Sequence, residues 1–224
     1  DEISHNIGSY EGSAICIRSA GNVNPVIVEF NTITDNQGSY GTIYIGYSSA
    51  IVKDNVISNN TSGKGGGICI SNSNSVIVED NNISNNTSEN EGGGIYSFDS
   101  APIIRNNTIS GNVAMDDYYN DGGGGINISS GEATITGNTI SNNTANRGGG
   151  ILGGSTVTNN IIANNTATYY NSEESGAGIY RAGTILDNII CGNNSNPQAY
   201  TSFYEPNEPP GNTVCPTCTG PCAF

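Results

Sequence analysis

The phrase Asn-x-Ile-x-x-Asn recurs along the chain, and this repeat constrains the fold more than any other feature. It occurs seven times in 224 residues, at spacings between 22 and 31 residues. Repeats of this length indicate stacked supersecondary units rather than independent domains. The first asparagines are Asn31, Asn55, Asn81, Asn107, Asn138, Asn160 and Asn188, and the second are Asn36, Asn60, Asn86, Asn112, Asn143, Asn165 and Asn193.

Each repeat also carries β-branched residues at fixed positions. One stands three residues before the first Asn, as at Val28 and Val52, and an isoleucine such as Ile43 or Ile68 follows a Gly-rich turn. A single coil cannot bury these side chains, but coils stacked about 4.8 Å apart align them in columns. We therefore predict an all-β chain that forms a parallel β-helix of about seven to eight coils. The varying coil length favours the right-handed form over a left-handed hexapeptide helix.

The asparagine columns have a structural explanation. Asn repeated at a corner can form a ladder of side-chain amides, and Asn accepts the left-handed backbone conformation that corners require. We expect all fourteen ladder asparagines to be structural, with none of them catalytic.

The segments GGGICIS, GGGIYS, GGGGINIS and GGGIL are followed by NNTISGN, NTISNN or NNIIANN. In these motifs the chain resembles the parallel β-helix repeat proteins of the pectate-lyase-like superfamily. It is similar above all to the Gly-Gly-Gly-Ile repeats of large bacterial and archaeal surface proteins. The resemblance covers roughly residues 12–195 and implies the fold. The resemblance does not determine the function of the chain, since that superfamily contains polysaccharide lyases, glycosidases, adhesins and structural proteins.

Composition and charge exclude some functions. Twenty acidic against six basic residues give a net charge of −14, which repels phosphate backbones and anionic membranes. We expect no nucleic-acid partner, and no stretch is apolar enough to span a bilayer. We expect an extracellular or cell-surface protein without an organic cofactor, in surroundings where Ca²⁺ is a conceivable ligand. The first residues lack signal-peptide features, so we expect a processed chain or part of a longer one.

The C-terminal part of the chain differs from the repeat. We predict a β-helix over residues 1–195 and a Pro- and Cys-rich cap or tail over 196–224. With a single histidine, His5, in the chain, we favour disulfides over zinc for the six cysteines. Val214 is expected to continue the Ile179 column, which would place Cys215 in the outward column of Cys16. The cysteines are Cys16, Cys69, Cys191, Cys215, Cys218 and Cys222.

Three swollen corners, at 113–121, 167–175 and 196–210, are predicted to cluster on one edge. They carry acidic residues and aromatic ones, and insertions on one face of a solenoid are often its binding face. The aromatics either form a patch for a ligand or partner or simply cover the stack. The candidate tyrosines are Tyr118, Tyr119, Tyr169, Tyr170, Tyr200 and Tyr204.

Candidate catalytic groups are few. Asp54 and Asp80 occupy equivalent positions in neighbouring coils, but Asn106 follows in the same column, so a scattered surface column is the favoured interpretation. Asp116 and Asp117 form an acidic pair without a basic neighbour. The basic residues are not expected to gather near an acidic cluster in the repeat register, and we identify no catalytic residue.

Asn-x-Ser/Thr sequences at corners are potential glycan carriers. The four corner positions are Asn59, Asn85, Asn142 and Asn164.

Three functions remain after these exclusions. The first is a non-catalytic structural subunit of a surface filament, sheath or layer, assembling head-to-tail, with Cys215 of one copy approaching Cys16 of the next. The second is an adhesin or carbohydrate-binding stalk, and the third is a polysaccharide lyase or glycosidase.

Overall fold

The chain forms a parallel β-solenoid. The computed structural model describes residues 1–19, 24–115, 122–169, 176–194, 199–200, 211–215 and 217–218, with only the backbone described at 199–200. Within these residues the regular elements are thirty strands in four sheets, and every paired strand runs parallel to its neighbour. The predicted positions Asp116, Asp117, Tyr118, Tyr119, Tyr170, Tyr204 and Cys222 lie outside the described residues.

Two of the sheets hold the repeat's main strands, numbered here in chain order. Sheet 1 contains β1 (Glu2–Ser4), β4 (Thr32–Thr34), β8 (Val56–Ser58), β12 (Asn82–Ser84), β16 (Thr108–Ser110), β20 (Thr139–Ser141), β24 (Ile161–Ala163), β28 (Ile189–Cys191) and β30 (Thr213–Cys215). Sheet 2 contains β2 (Ile15–Arg18), β6 (Ile43–Gly46), β10 (Ile68–Ser71), β14 (Ile95–Phe98), β18 (Ile126–Ile128), β22 (Ile151–Leu152), β26 (Ile179–Tyr180) and β29 (Ala199–Tyr200).

The other two sheets complete each coil. Sheet 3 contains β3 (Val26–Glu29), β7 (Ser49–Lys53), β11 (Ser75–Glu79), β15 (Ile103–Arg105), β19 (Thr134–Thr136), β23 (Thr156–Thr158) and β27 (Thr184–Leu186). Sheet 4 contains β5 (Gln37–Tyr40), β9 (Thr61–Lys64), β13 (Thr87–Ser88), β17 (Val113–Ala114), β21 (Thr144–Ala145) and β25 (Thr166–Ala167). A coil therefore passes through sheets 2, 3, 1 and 4 in turn.

The core is made of isoleucine and valine columns. In sheet 1, Ile57 pairs in register with Ile33 and Ile83, and all three are fully buried. In sheet 3, Val52 and Val78 pair in the same way and are also fully buried. Because alternate residues of a strand point to opposite faces, each coil buries several apolar side chains against their own copies. This arrangement confirms the predicted all-β parallel β-helix of about seven coils.

Corner residues adopt the left-handed conformation. One such column precedes the first ladder asparagines and includes Asp54 (φ 54°), Asp80 (φ 54°) and Asn106 (φ 56°). Asp and Asn tolerate positive φ better than most residues, which explains the aspartates at this position. The Gly-rich turns require glycine for two reasons. Gly65 adopts the left-handed conformation, with φ +63°, and a Cβ on Gly66 would lie 2.3 Å from the carbonyl oxygen of Gly93 in the next coil.

The asparagines form two continuous ladders of buried side-chain amides. Asn60, for example, donates from its backbone N–H and from Nδ2 to Oδ1 of Asn86, at 3.0 and 2.9 Å. Each ladder is one member longer than the repeat phrase indicates. Asn6 donates to Oδ1 of Asn36, and Asn188 donates to Oδ1 of Asn212. The sequence signal was present but degenerate, as Asp1-x-Ile3-x-x-Asn6 and Asn212-x-Val214.

The last described strand corrects the prediction for Val214 and Cys215. Strand β30 pairs with β28, so Val214 stands on Ile190 and Cys215 on Cys191, in sheet 1 rather than in the outward column of Cys16 in sheet 2. The expected approach of Cys215 to Cys16 of a following copy is therefore wrong. The cause is that β30 resumes the coil at the Asn212 corner, not after a Gly-rich turn.

The cysteines fall into two groups. Cys191 and Cys218 form a disulfide, and Cys215 is also disulfide-bonded. Cys16 and Cys69, predicted as disulfide cysteines, are free thiols, because Cys69 is buried within sheet 2 and Tyr44 separates it from Cys16 along the column.

Candidate functional site

The outward face of sheet 2 carries large side chains where the outward face of sheet 1 carries mainly Thr and Ser. Its outward column runs through consecutive paired strands, each coil contributing one residue. Because strands in register align equivalent residues, these side chains stack along the solenoid axis. The column contains Cys16, Tyr44, Cys69, Tyr96, Asn127, Leu152 and Tyr180.

A second column lies at the corner that leads into this face. It is formed by the residue immediately before each left-handed glycine, and it begins Glu11, Tyr40, Lys64, Glu91. Arg147 holds the same position before Gly148. Sequence analysis missed this column. The sequence feature that indicates it is a large side chain directly before a Gly-rich turn.

The two columns meet in a depression of about 240 Å³, which we call the tyrosine groove. An adjoining depression of about 390 Å³ shares Tyr40 and Lys64 with it, so the surface is indented over several coils. The tyrosine groove is lined by Glu11, Tyr40, Tyr44, Lys64, Cys69, Ser71, Tyr96 and Phe98.

The aromatic side chains of the groove have two kinds of exposure. Tyr44 and Tyr96 are 5% and 6% exposed and form the floor, whereas Tyr40 and Phe98 are 45% and 39% exposed at the rim. The floor ring of Tyr44 lies over Gly46, where a Cβ would come within 2.6 Å of it. A side chain at residue 46 would therefore displace the Tyr44 ring from its present position.

Charges in the groove are paired. Lys64 Nζ lies 2.6 Å from a carboxylate oxygen of Glu91 and 4.9 Å from the centre of the Tyr96 ring. At the other side of the groove, Arg18 forms an ion pair with Glu11. These contacts hold the long side chains in place around the aromatic floor.

The titratable floor residues are held in their neutral forms. Burial, together with the Glu11 carboxylate, raises the pKa of Tyr44 to about 12. Burial also raises the pKa of the Cys69 thiol to about 12. At neutral pH neither group provides a thiolate or phenolate nucleophile.

Further along sheet 2, arginines stack on tyrosines. The guanidinium of Arg147 lies 4.0 Å from the ring centre of Tyr169 and 5.5 Å from that of Tyr180. Arg181 lies 4.9 Å from the Tyr180 ring centre. Tyr169, one of the predicted patch residues, thus packs on a nearly buried arginine.

Most of the basic residues share one face of the solenoid. Four of the six Lys and Arg residues, Arg18, Lys64, Arg147 and Arg181, lie on or beside the outward face of sheet 2. Lys64 and Arg147 share one repeat position, directly before a left-handed glycine, whereas Arg18 and Arg181 hold two others, and the turn between sheets 4 and 2 brings these positions together.

The other sequence candidates lie elsewhere. Asp54 and Asp80 sit on the left-handed corner between sheets 3 and 1, away from the groove. The four corner asparagines precede the second ladder, are exposed and have φ near 55°: Asn59, Asn85, Asn142 and Asn164. His5 occupies the same corner column, with φ 58°.

Among the residues that the structure describes, there is no group of three or more His, Cys, Asp or Glu side chains that could hold a metal ion. A Ca²⁺ ligand therefore stays a prediction. In the same residues there is no helix with the length and apolar character needed to cross a membrane.

Comparison with known proteins bears on the fold. The family model described as right handed beta helix region matches residues 2–167, which is more than half of the chain. No curated protein matches the chain, and no solved structure matches it either.

Proposed function

We propose that this chain, which belongs to the right-handed β-helix family, is a non-catalytic extracellular protein that binds an extended glycan in the tyrosine groove. The observation that carries the proposal is the combination of exposed Tyr40 and Phe98 rings with a fixed Lys64–Glu91 pair in one indented surface. Sugars present apolar C–H faces and polar hydroxyls, so they suit a site with aromatic rings and a few oriented polar groups.

Binding is favoured over catalysis by the state of the titratable groups. Glu11 forms an ion pair with Arg18, and Glu91 forms one with Lys64. The floor groups Tyr44 and Cys69 have pKa values near 12, far from the range useful for acid–base catalysis at neutral pH. The fixed Lys64 and Glu91 side chains are instead suited to holding a ligand by hydrogen bonds.

An extracellular location is supported by the disulfide. The Cys191–Cys218 bond is typical of proteins that mature in an oxidising compartment. The net charge of −14 is compatible with an exposed, highly solvated surface.

The test is glycan-array screening of the whole chain, followed by calorimetric titration with the best oligosaccharide. Replacing Tyr40 or Phe98 with Ala should weaken binding about tenfold, since about 1.4 kcal/mol of ring contact is lost. The control is Phe30→Ala, an exposed ring (68% exposed) beside sheet 3. Absence of binding to every glycan, or an equal loss in the control, would overturn the proposal.

A surface filament, sheath or layer is the second candidate. Strands β1 and β30 are the edge strands of sheet 1 in the described residues, and an edge strand offers unpaired backbone groups to another coil. Electron micrographs of the native protein should then show fibres or sheets. Single particles at high protein concentration would contradict this role.

A further inference from the structure

A second surface, on sheet 3, stands apart from the tyrosine groove. The outward residues of its first four strands form an isoleucine column, Ile27, Ile51, Ile77 and Ile103, with each residue paired in register to the next. Ile27 and Ile103 are 53% and 39% exposed. The column ends there, because Thr134 pairs with Ile103.

A charged column runs beside these isoleucines, two residues further along each strand. It reads Glu29, Lys53, Glu79, Arg105, so the sign alternates from coil to coil. Lys53 Nζ lies 2.8 Å from a carboxylate oxygen of Glu29, and a guanidinium nitrogen of Arg105 lies 2.6 Å from a carboxylate oxygen of Glu79. The two columns together are called the isoleucine face.

The isoleucine face differs from an ordinary outward sheet surface. On sheet 1, the equivalent strands present Thr32, Val56, Asn82 and Thr108 outward, so three of these four are polar. A contiguous exposed apolar patch rimmed by polar residues is typical of a protein–protein contact surface.

We propose that the isoleucine face binds the same face of a second copy of this chain, with the two solenoids antiparallel. A two-fold axis along the strand direction reverses the coil order and keeps each column opposite its own copy. Ile51 then faces the partner's Ile77. In the charged column, Glu29 faces the partner's Arg105 and Lys53 faces the partner's Glu79.

The order of charges selects this arrangement. When the two columns align over their full length, the sequence minus, plus, minus, plus is complementary to itself only in the reversed order. Every cross-pair in the antiparallel dimer then joins opposite charges. If the copies are instead related by an axis along the solenoid, the charged columns lie at opposite edges and do not meet. Electrostatic complementarity of this kind determines orientation more than affinity.

The size of the face indicates a weak dimer. Four strands of three to five residues cover roughly 15 Å by 15 Å, well below the roughly 800 Å² per partner of stable complexes. We expect association in the range of tens of micromolar to millimolar, so the test must reach such concentrations.

The first experiment is sedimentation velocity of the whole chain from about 10 µM to 1 mM. The wild type should pass from monomer to dimer, and Ile77→Asp should remain monomeric. The matched control is Thr134→Asp, which adds the same charge to the same outward column beyond the isoleucines and should dimerise. Circular dichroism verifies that both variants fold. A wild type that is monomeric at 1 mM, or equal loss in both variants, overturns the proposal.

The second experiment tests the orientation. The quadruple variant Glu29→Lys, Lys53→Glu, Glu79→Lys, Arg105→Glu keeps the pairs within the chain and its own antiparallel complementarity, so it should dimerise with itself. Mixed with labelled wild type, it should give no heterodimer, because every cross-pair would join like charges. Heterodimers as abundant as homodimers would overturn the antiparallel arrangement. Neither experiment depends on glycan binding, which uses sheet 2.

Discussion

The side chain of Asn81 donates from Nδ2 to Oδ1 of Asn107 at 3.0 Å, and the backbone N–H of Asn81 donates to the same oxygen at 3.0 Å. The same Nδ2 also donates to the carbonyl oxygens of Val52 and Glu79, each at 2.8 Å. One buried amide thus ties together three successive coils, because Val52, Asn81 and Asn107 belong to consecutive repeats.

Replacement of one ladder asparagine should be strongly destabilising. Asn107→Ala removes the acceptor for two donors of Asn81 and leaves the backbone N–H of Asn81 buried without a partner. We expect the free energy of unfolding to fall by about 3 kcal/mol or more, measured by urea denaturation. Asn106→Gly is the control, since Gly137 fills the same corner in the next coil. This control should lower the free energy of unfolding by no more than about 1 kcal/mol. Equal effects of the two changes would contradict the ladder's role.

A buried serine interrupts an isoleucine column, and its replacement should stabilise the fold. Ser97 pairs with Ile70 and Ile128, is fully buried, and its Oγ has no hydrogen-bond partner in the described structure. Ser97→Ala should raise the free energy of unfolding by about 1 kcal/mol, because an unsatisfied hydroxyl is removed. Ser100→Ala should lower it, because Ser100 Oγ accepts from the backbone N–H of Ser73. Denaturant melts that rank the two variants in the reverse order would refute this.

The Cys191–Cys218 disulfide should stabilise the C-terminal coils. It closes a sequence separation of 27 residues, and a loop of this size corresponds to about 3.5 kcal/mol in the chain-entropy description. The double variant Cys191→Ala, Cys218→Ala should therefore unfold at a lower temperature in differential scanning calorimetry. An unchanged melting temperature would show that the bond contributes nothing to stability.

The two free thiols should react at different rates. Cys16 is exposed and Cys69 is buried, and burial raises the pKa of the Cys69 thiol to about 12. With a thiol reagent at pH 8, we expect Cys16 to be modified in the folded chain and Cys69 only after unfolding. Peptide mapping by mass spectrometry measures this. Equal labelling of the two in the native state would contradict the structure around Tyr44 and Tyr96.

The same raised pKa predicts a loss of stability in alkali. A thiol whose pKa is higher in the folded state keeps its proton there, so its contribution is complete below the unfolded pKa, near 9, and is lost as pH rises from about 9 to about 12. Tyr44, with its pKa raised from 10 to about 12, adds a loss in an overlapping range. Cys69→Ala should flatten the decline of unfolding free energy between pH 9 and pH 11. A slope identical to that of the wild type would contradict this assignment.

How far the sequence predicts the fold is seen in the inward columns. Ile57 and Val52 recur at fixed distances from Asn55 in every repeat, and a parallel stack is the arrangement that buries both columns at once. The Asn6 and Asn212 ends of the ladders were missed because Asp1 and Val214 replace the consensus residues. The ladder and core columns were therefore predicted correctly where every coil carries the consensus residue, and they were missed where a coil carries a different one.

The groove was hidden from the sequence for a geometric reason. Lys64 and Tyr96 belong to different coils and different repeat positions, and no spacing in the chain indicates that Lys64 Nζ lies 4.9 Å from the Tyr96 ring. Repetition along the chain determined which residues face inward, because a period of two on each strand and one coil per repeat leave a single way to bury them. Which outward columns meet was decided by the turn between sheets 4 and 2. That turn requires glycines such as Gly66, where a Cβ would meet the backbone of the next coil, a contact that exists only after the coils have stacked.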